Sequence, residues 1–238
     1  MAAGRERPVV AIDGPAGVGK STAARMLARE LGFTLVDTGA LYRAVALAAA
    51  ERGVSWDDGP ALARTIEAAI IDLGTDTTGQ TRVLIDGADR SRDIRTPVVS
   101  MGASAVSRHP EVRGALLGMQ RRLGRAGGVV LEGRDIGTVV FPDAEVKVYL
   151  TASPEVRARR RYEELAARGE DVSFEETLAE VVQRDRQDST RETAPLRAAD
   201  DAVVIDTSSL SAADVVERVV EMTRGAGSSR VQRIPLTK

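Results

Sequence analysis

The chain has 238 residues, enough for one α/β domain with inserted segments or for two small domains with a proper core. Its 33 basic and 35 acidic residues give a formal net charge of −2, which argues against a nucleic-acid coat protein or a general membrane-surface binder. The lack of cysteine and the single histidine exclude disulfides, thiol nucleophiles and Cys/His zinc sites. Because no apolar run reaches the roughly 18 to 20 residues of a membrane span, we expect a cytoplasmic protein without a membrane partner.

Short apolar runs alternate with longer stretches of helical periodicity, a pattern that predicts βαβ units. Strands are expected at residues 9–13, 34–36, 129–132, 146–150 and 202–206. Helices are expected at residues 20–31, 39–52, 60–72, 98–107, 110–125, 154–167, 174–187 and 212–224. The predicted fold is therefore α/β, a five-stranded parallel sheet flanked by helices.

The first strand leads directly into residues 14–21, which read Gly-Pro-Ala-Gly-Val-Gly-Lys-Ser and fit the pattern G-x-x-x-x-G-K-[ST]. Such a loop turns its backbone N–H groups onto the phosphates of a nucleoside triphosphate, and the following helix presents its positive end to them. Lys20 is expected to reach the β- and γ-phosphates and Ser21 to ligate Mg²⁺. The predicted ATP-binding residues are Gly14, Pro15, Ala16, Gly17, Val18, Gly19, Lys20, Ser21 and Thr22.

Polar residues follow the second and third strands at their carboxyl ends, where open parallel sheets bind ligands. The second strand is followed by Asp37, Thr38 and Arg43, which we expect to face the ligand crevice. In the alternative interpretation, Thr38 only caps a helix and Arg43 is a solvated helix residue. Arg134 and Asp135 follow the third strand beside glycines, where an ordinary turn is the alternative interpretation.

Residues 39–127 are predicted to be an insertion between the second and third strands, and within it residues 81–91 predict a small hairpin with an Asp86-Gly87 turn. The stretch 76–79 matches the D-x-x-G pattern of GTPases, but it follows no strand of the sheet, so we interpret the match as chance.

Two clusters of charged side chains lie on later helices. Arg157, Arg160 and Arg161 share a helical face, which favours equally a lid over phosphates and a solvated arginine surface. Arg184, Asp188 and Arg191 are spaced as one helical face, either as a binding site or as an internal ion pair. Residues 225–238 are small and polar and are expected to be disordered.

Five runs occur in the order IDGPAGVGKST, LVDTGALYRA, LEGRDIGTVVFPDA, RDRQDSTRETAPL and AVVIDTS. Together they resemble those of bacterial cytidylate kinases, and the resemblance extends from residue 8 to residue 224. It implies a single kinase domain with a P-loop core at residues 8–38, 128–153 and 172–224. It also implies a monophosphate-binding insertion at residues 39–127 and a lid at residues 154–171.

The resemblance implies roles for particular residues in binding CMP. Arg43, Arg134 and Arg191 would hold its 5′-phosphate, while Ser104, Arg113 and Asp135 would read the cytosine edge. Arg184 and Asp188 would hold the ribose hydroxyls, and Asp37, Thr38 and Tyr42 complete the expected CMP site. The expected catalytic residues are Lys20, Arg134, Arg157, Arg161 and Arg191, and the arginines of the lid would close over the triphosphate. Among the segments that resemble the family, residues 104–113 diverge most, and they include two of the residues expected to read the base.

The implied reaction is ATP + CMP giving ADP + CDP, with dCMP as a second acceptor and Mg²⁺ as cofactor, in a monomer. An acidic side chain at Asp135 can accept a hydrogen bond from the cytosine amine, whereas the uracil carbonyl has no hydrogen to donate. A kinase for UMP or AMP is the nearest alternative. A GTPase would need an N/T-K-x-D motif, which neither remaining lysine provides, and a DNA-associated ATPase would need a basic stripe.

Overall fold

The computed structural model describes residues 5–76 and 80–231. The strands are β1 (Val9–Asp13), β2 (Thr34–Asp37), β3 (Ile71–Thr75), β4 (Thr81–Ile85), β5 (Ala88–Asp89), β6 (Val129–Gly133), β7 (Val146–Thr151) and β8 (Val203–Asp206). The helices are α1 (Lys20–Leu31), α2 (Thr38–Glu51), α3 (Gly59–Ala68), α4 (Pro97–Val106), α5 (Pro110–Gly124), α6 (Pro154–Ala167), α7 (Phe174–Thr190) and α8 (Ala212–Val231). The segment 136–140 between β6 and β7 forms a short π-helix.

The main sheet has five strands in the order β2-β6-β1-β7-β8, and it confirms the predicted parallel α/β fold. Its central strand β1 pairs in parallel with β6 and β7, so that Val10 lies beside both Val130 and Val146. Every residue of β1 and β6 is buried. A strand that is covered on both faces has a continuous apolar sequence rather than an alternating one. The bounds of β1 and β6 could therefore be predicted closely.

The chain divides into two compact units, one of residues 34–125 and the other of the remainder. The smaller unit has its own core, in which Leu41 and Val45 of α2 pack with Leu62 of α3 and Leu116 of α5. It also contains a three-stranded antiparallel sheet in the order β3-β4-β5. Segment 34–125 therefore buries its own hydrophobic surface.

The smaller unit corrects one prediction of secondary structure. The helix expected at residues 60–72 ends at Ala68, and Ile71 begins β3, which pairs antiparallel with β4 and adds a strand to the expected hairpin. Asp86 and Gly87 form the predicted tight turn, with φ of 52° and 81°. Residues 77–79 of the D-x-x-G match lie outside the described residues.

The C-terminal prediction also needs correction, because α8 continues to Val231 and covers part of the segment 225–238 that was expected to be disordered. The rest of that segment, residues 232–238, lies outside the described residues. At the start of α7, Ser173 and Glu176 form a capping box, in which they exchange side-chain and backbone hydrogen bonds. Within 5–76 and 80–231, no helix combines the length and the apolar character that crossing a bilayer requires.

Candidate active site

The loop between β1 and α1 depends on glycine at three positions. Gly14, Gly17 and Gly19 have φ of 148°, 76° and 95°, conformations that side-chain-bearing residues rarely adopt. A Cβ on Gly14 would lie 2.2 Å from the Leu150 carbonyl oxygen, whereas a Cβ on Gly19 would meet open space. The loop is therefore packed tightly against β7 at its start and open where it enters α1.

The beginning of α1 is suited to an anion. Gly19 caps the helix without a side chain, and the first turn carries no acidic residue. Backbone N–H groups at such a helix start attract phosphate. Ser21 and Thr22 are exposed at this end of the helix.

Lys20 is held inside the loop. Its side chain is buried, and its Nζ donates a hydrogen bond to the Pro15 carbonyl oxygen at 2.6 Å. Burial lowers the pKa of the Lys20 ammonium well below its usual value, and the positive charge of Arg134 lowers it further. Negative charge brought into the loop would oppose that shift.

Asp13, the last residue of β1, is a feature that the sequence reasoning missed. Its two carboxylate oxygens accept hydrogen bonds from the backbone N–H groups of Ile136 at 2.8 Å and Gly137 at 2.7 Å. Burial raises the pKa of Asp13 to about 6, although both hydrogen bonds oppose that rise. Asp13 thus holds the turn that directly follows Arg134 and Asp135. An acidic residue in an otherwise apolar buried strand is the signal that could have identified it.

Three of the predicted acceptor-site residues form a charged cluster around Asp188 of α7. Arg134 donates from Nε to Asp188 Oδ2 at 2.9 Å, and Arg191 Nη1 lies 3.8 Å from Asp188 Oδ1. Burial alone would raise the pKa of Asp188, but the charges of Arg134 and Arg184 outweigh it and lower the pKa. Asp188 is therefore a buried carboxylate that remains ionised among arginines.

The expected single helical face of Arg184, Asp188 and Arg191 is only partly correct. Helix α7 ends at Thr190, and Arg191 has extended backbone with ψ of 141°. Its Nε donates to the Ala194 carbonyl oxygen at 2.7 Å, in the turn that precedes Pro195. Arg191 reaches Asp188 from beyond the helix, so a backbone turn rather than helical periodicity sets its position.

Arg157 and Arg160 do not form the solvated arginine surface that was one interpretation of α6. Arg157 is 3% exposed and pairs with Asp185, and Arg160 donates to the carbonyl oxygen of Thr207 at 2.6 Å. Arg161 is partly exposed on the same helix. The three guanidinium groups therefore have different surroundings despite their helical spacing.

In the unit of residues 34–125, the predicted residues lie mainly at the start of α2. Asp37 caps this helix by accepting from Ala40 N at 3.1 Å, so the cap is Asp37 rather than Thr38, which is the first residue of the helix and is buried. Arg43 Nη2 donates to Asp37 Oδ2 at 2.6 Å. Asp37 therefore stabilises the start of α2 and pairs with Arg43, in addition to the ligand-binding role predicted for it.

The same unit holds two of the residues expected to read the base, Arg113 and Ser104. The guanidinium of Arg113, on α5, lies 5.6 Å from the centre of the Tyr42 ring, a cation–π contact, and donates to the Ser107 carbonyl oxygen at 3.3 Å. Ser104 is half-buried on α4. Asp135, in the other unit, is buried at the start of the π-helix. The Nε2 atom of His109 lies 2.9 Å from the Trp56 carbonyl oxygen.

Comparison with known proteins identifies a family. The sequence model of the cytidylate kinase family matches residues 10–225. The cytidylate kinase of Pelotomaculum thermopropionicum is 54% identical over 213 residues, which cover 90% of this chain and 94% of that protein. The cytidylate kinase of Citrifermentans bemidjiense is 55% identical over 233 residues, which cover 97% of each chain.

A solved structure of an uncharacterized protein from Eubacterium ventriosum shares the fold at 12% identity. Its TM-score is 0.51, and the match covers 92% of this chain and 99% of that one. The family model and the curated relatives confirm the resemblance drawn from the five sequence runs. This chain belongs to the cytidylate kinase family.

Proposed function

We propose that this chain transfers the γ-phosphoryl group of ATP to CMP, and also to dCMP, giving ADP and CDP or dCDP. The observation that carries the proposal is a glycine loop with a buried lysine in the same unit as the ionised Asp188 and its arginines. One group of residues suits a triphosphate donor, and the other suits a second anionic substrate with hydroxyl groups. Membership of the cytidylate kinase family supports CMP as that substrate.

The donor is proposed to lie in the loop of residues 14–22, with its β- and γ-phosphates against Lys20 and the start of α1. The Ser21 hydroxyl would hold Mg²⁺, which neutralises charge on the β- and γ-phosphates when bound. The open space at Gly19 and the uncapped start of α1 support this placement. Arg161 is proposed to contact the triphosphate from the lid.

The acceptor is proposed to bind through its 5′-phosphate and its ribose. Arg43, Arg134 and Arg191 would hold the 5′-phosphate, because their planar forks bind phosphate oxygens with paired hydrogen bonds. Asp188 accepts from Arg134 through Oδ2, and Oδ1, which lies 3.8 Å from Arg191 Nη1, is proposed to accept from a ribose hydroxyl, with Arg184 beside it. Asp37, Thr38 and Tyr42 remain predicted parts of this site.

Base selection is proposed to depend on Asp135, with Ser104 and Arg113. A carboxylate accepts a hydrogen bond from the exocyclic amine of cytosine, whereas the uracil carbonyl has no hydrogen to donate to it. That contact favours cytosine over uracil. The burial of Asp135 supports this assignment.

The reaction needs no general base. The second pKa of a phosphate monoester is near 6, so the attacking oxygen of CMP is already mostly anionic at neutral pH. The chain must instead hold two mutually repelling phosphates in line and stabilise the charge on the transferred group. Lys20 and the arginines supply that charge, and the lid of residues 154–171 is proposed to exclude water from the transferred group.

We also propose that the protein acts as a monomer in the cytoplasm, a reducing compartment that suits a chain without cysteine.

A coupled assay that measures ADP formation tests the proposal, with CMP, dCMP, UMP, AMP and shikimate offered separately. We expect turnover with CMP and dCMP, and slower turnover with UMP because of Asp135. An Asp135→Asn variant should narrow the preference for CMP over UMP, since an amide can either donate or accept. Preference for AMP or shikimate over CMP would refute the assignment.

A further inference from the structure

Arg157, at the first turn of α6, has its guanidinium almost fully engaged within the protein. Nη1 and Nη2 bind Asp185 Oδ1 at 2.9 Å and Oδ2 at 2.5 Å, a parallel two-bond pair. Nε donates to the Ala152 carbonyl oxygen at 3.0 Å, and Nη1 also donates to the Ala16 carbonyl oxygen at 3.2 Å. Four hydrogen bonds on a side chain that is 3% exposed leave it poorly placed to bind a phosphate.

These contacts join two parts of the proposed active site. Ala16 lies in the phosphate loop, and the backbone of Arg157 lies so close to that loop that a Cβ on Gly17 would be 3.1 Å from the Arg157 carbonyl oxygen. Asp185 lies on α7, next to Arg184 and one helical turn before Asp188. One guanidinium therefore connects the loop that holds the donor with the helix that carries two acceptor residues.

We propose that Arg157 and Asp185 form a brace that positions the phosphate loop and α7, and that Arg157 is a positioning residue rather than a ligand of the transferred phosphate. The proposal rests on the proposed function and revises the role expected for Arg157. Buried ion pairs contribute little net stability, but their geometry is specific, which suits a brace. The two-bond fork fixes both the distance and the angle between its partners.

The brace predicts that Asp185 matters for catalysis although it would touch neither substrate. Asp185→Asn keeps one acceptor for Arg157 but breaks the second hydrogen bond and the charge pair. We expect its dissociation constant for ATP, measured by calorimetry, to rise about tenfold and kcat with CMP to fall by a similar factor. Asp200→Asn is the matched control, because it breaks the exposed ion pair of Asp200 with Arg197 and should leave both values within about twofold.

A paired replacement separates positioning from stability. Arg157→Met with Asp185→Leu exchanges the ion pair for apolar side chains of similar size, a change that often preserves stability. We expect the paired variant to fold and to show the same losses in ATP affinity and kcat as Asp185→Asn. In a double-mutant cycle with the single variants Arg157→Met and Asp185→Leu, the losses of the two single variants should not add up in the paired variant. If Arg157 instead bound the transferred phosphate directly, Asp185→Asn would release Arg157 for that role, and activity would be normal or higher.

Wild-type ATP affinity in Asp185→Asn, or in the paired variant, overturns the brace. If both variants fail to fold, the pair determines the fold rather than the active-site geometry, and the proposal is also overturned. The ATP titration needs no acceptor, so it tests the brace even if the wild-type protein does not phosphorylate CMP, which would instead refute the proposed function.

Discussion

The ionised carboxylate of Asp13 is expected to lower the stability of the folded protein at neutral pH. Replacing Asp13 with asparagine should remove this cost. The carboxyl group is buried at the end of β1, and burial raises its pKa from 3.8 to about 6. Between these two values the folded protein holds the proton and the unfolded chain does not. The free energy of unfolding therefore falls by ~1.4 kcal/mol per pH unit in this window, a total of ~3 kcal/mol.

The sign follows from the raised pKa. The stabilising contribution of Asp13 is fully present below pH 3.8, and it is lost as the pH rises through about 6. Asp13→Asn resembles the protonated form, with one acceptor facing the N–H groups of Ile136 and Gly137. The variant should therefore gain ~3 kcal/mol relative to wild type between about pH 4 and about pH 8.

The assay is denaturant unfolding followed by circular dichroism at a series of pH values. Taking the difference between variant and wild type cancels the titration of all other carboxyl groups. Asp171→Asn, at an exposed position between α6 and α7, controls for the loss of one carboxylate. A difference between Asp13→Asn and wild type that does not change with pH would refute the reasoning that burial dominates at Asp13.

Three further substitutions test the phosphate loop and the smaller unit. Lys20→Met should abolish turnover while calorimetry still detects CMP binding, because the lysine is assigned to the donor phosphates; near-normal activity would contradict this role. Gly14→Ala should abolish ATP binding in the same titration, since its Cβ would lie 2.2 Å from the Leu150 carbonyl oxygen; wild-type affinity would show that the loop tolerates the clash. Gly102→Ala places a Cβ 2.5 Å from the Trp56 ring and should cost about 1–3 kcal/mol of unfolding free energy, with a shifted tryptophan emission; an unchanged spectrum and stability would contradict the packing.

A matched control is available for the two glycine variants. Gly114 lies within α5, and a Cβ there would meet nothing within 4 Å. Gly114→Ala should therefore stabilise the helix by about 1 kcal/mol, because alanine loses less backbone entropy than glycine.

The parallel sheet and the phosphate loop could be predicted because local sequence determines them. The run Val9-Val10-Ala11-Ile12 is apolar on both faces, and the glycines after it occupy backbone conformations that other residues rarely adopt. Residue type and spacing were sufficient in this part of the chain.

The errors occur where tertiary partners decide the structure. Residues 71–72 continue a helical pattern, yet their pairing with Leu84 and Ile85 makes them a strand. Arg157 and Arg160 share a helical spacing, but spacing could not reveal that Asp185 and Thr207 bind them from other parts of the chain. Long-range partners of this kind are not encoded in periodicity.

The transfer of label from ATP is the most direct test of the account. With ATP labelled at the γ-phosphate and an equal amount of CMP, the label should appear in the terminal phosphate of CDP, and Lys20→Met should form no labelled CDP. Label found only in inorganic phosphate, or a rate independent of CMP, would show that the chain hydrolyses ATP and does not phosphorylate a nucleotide.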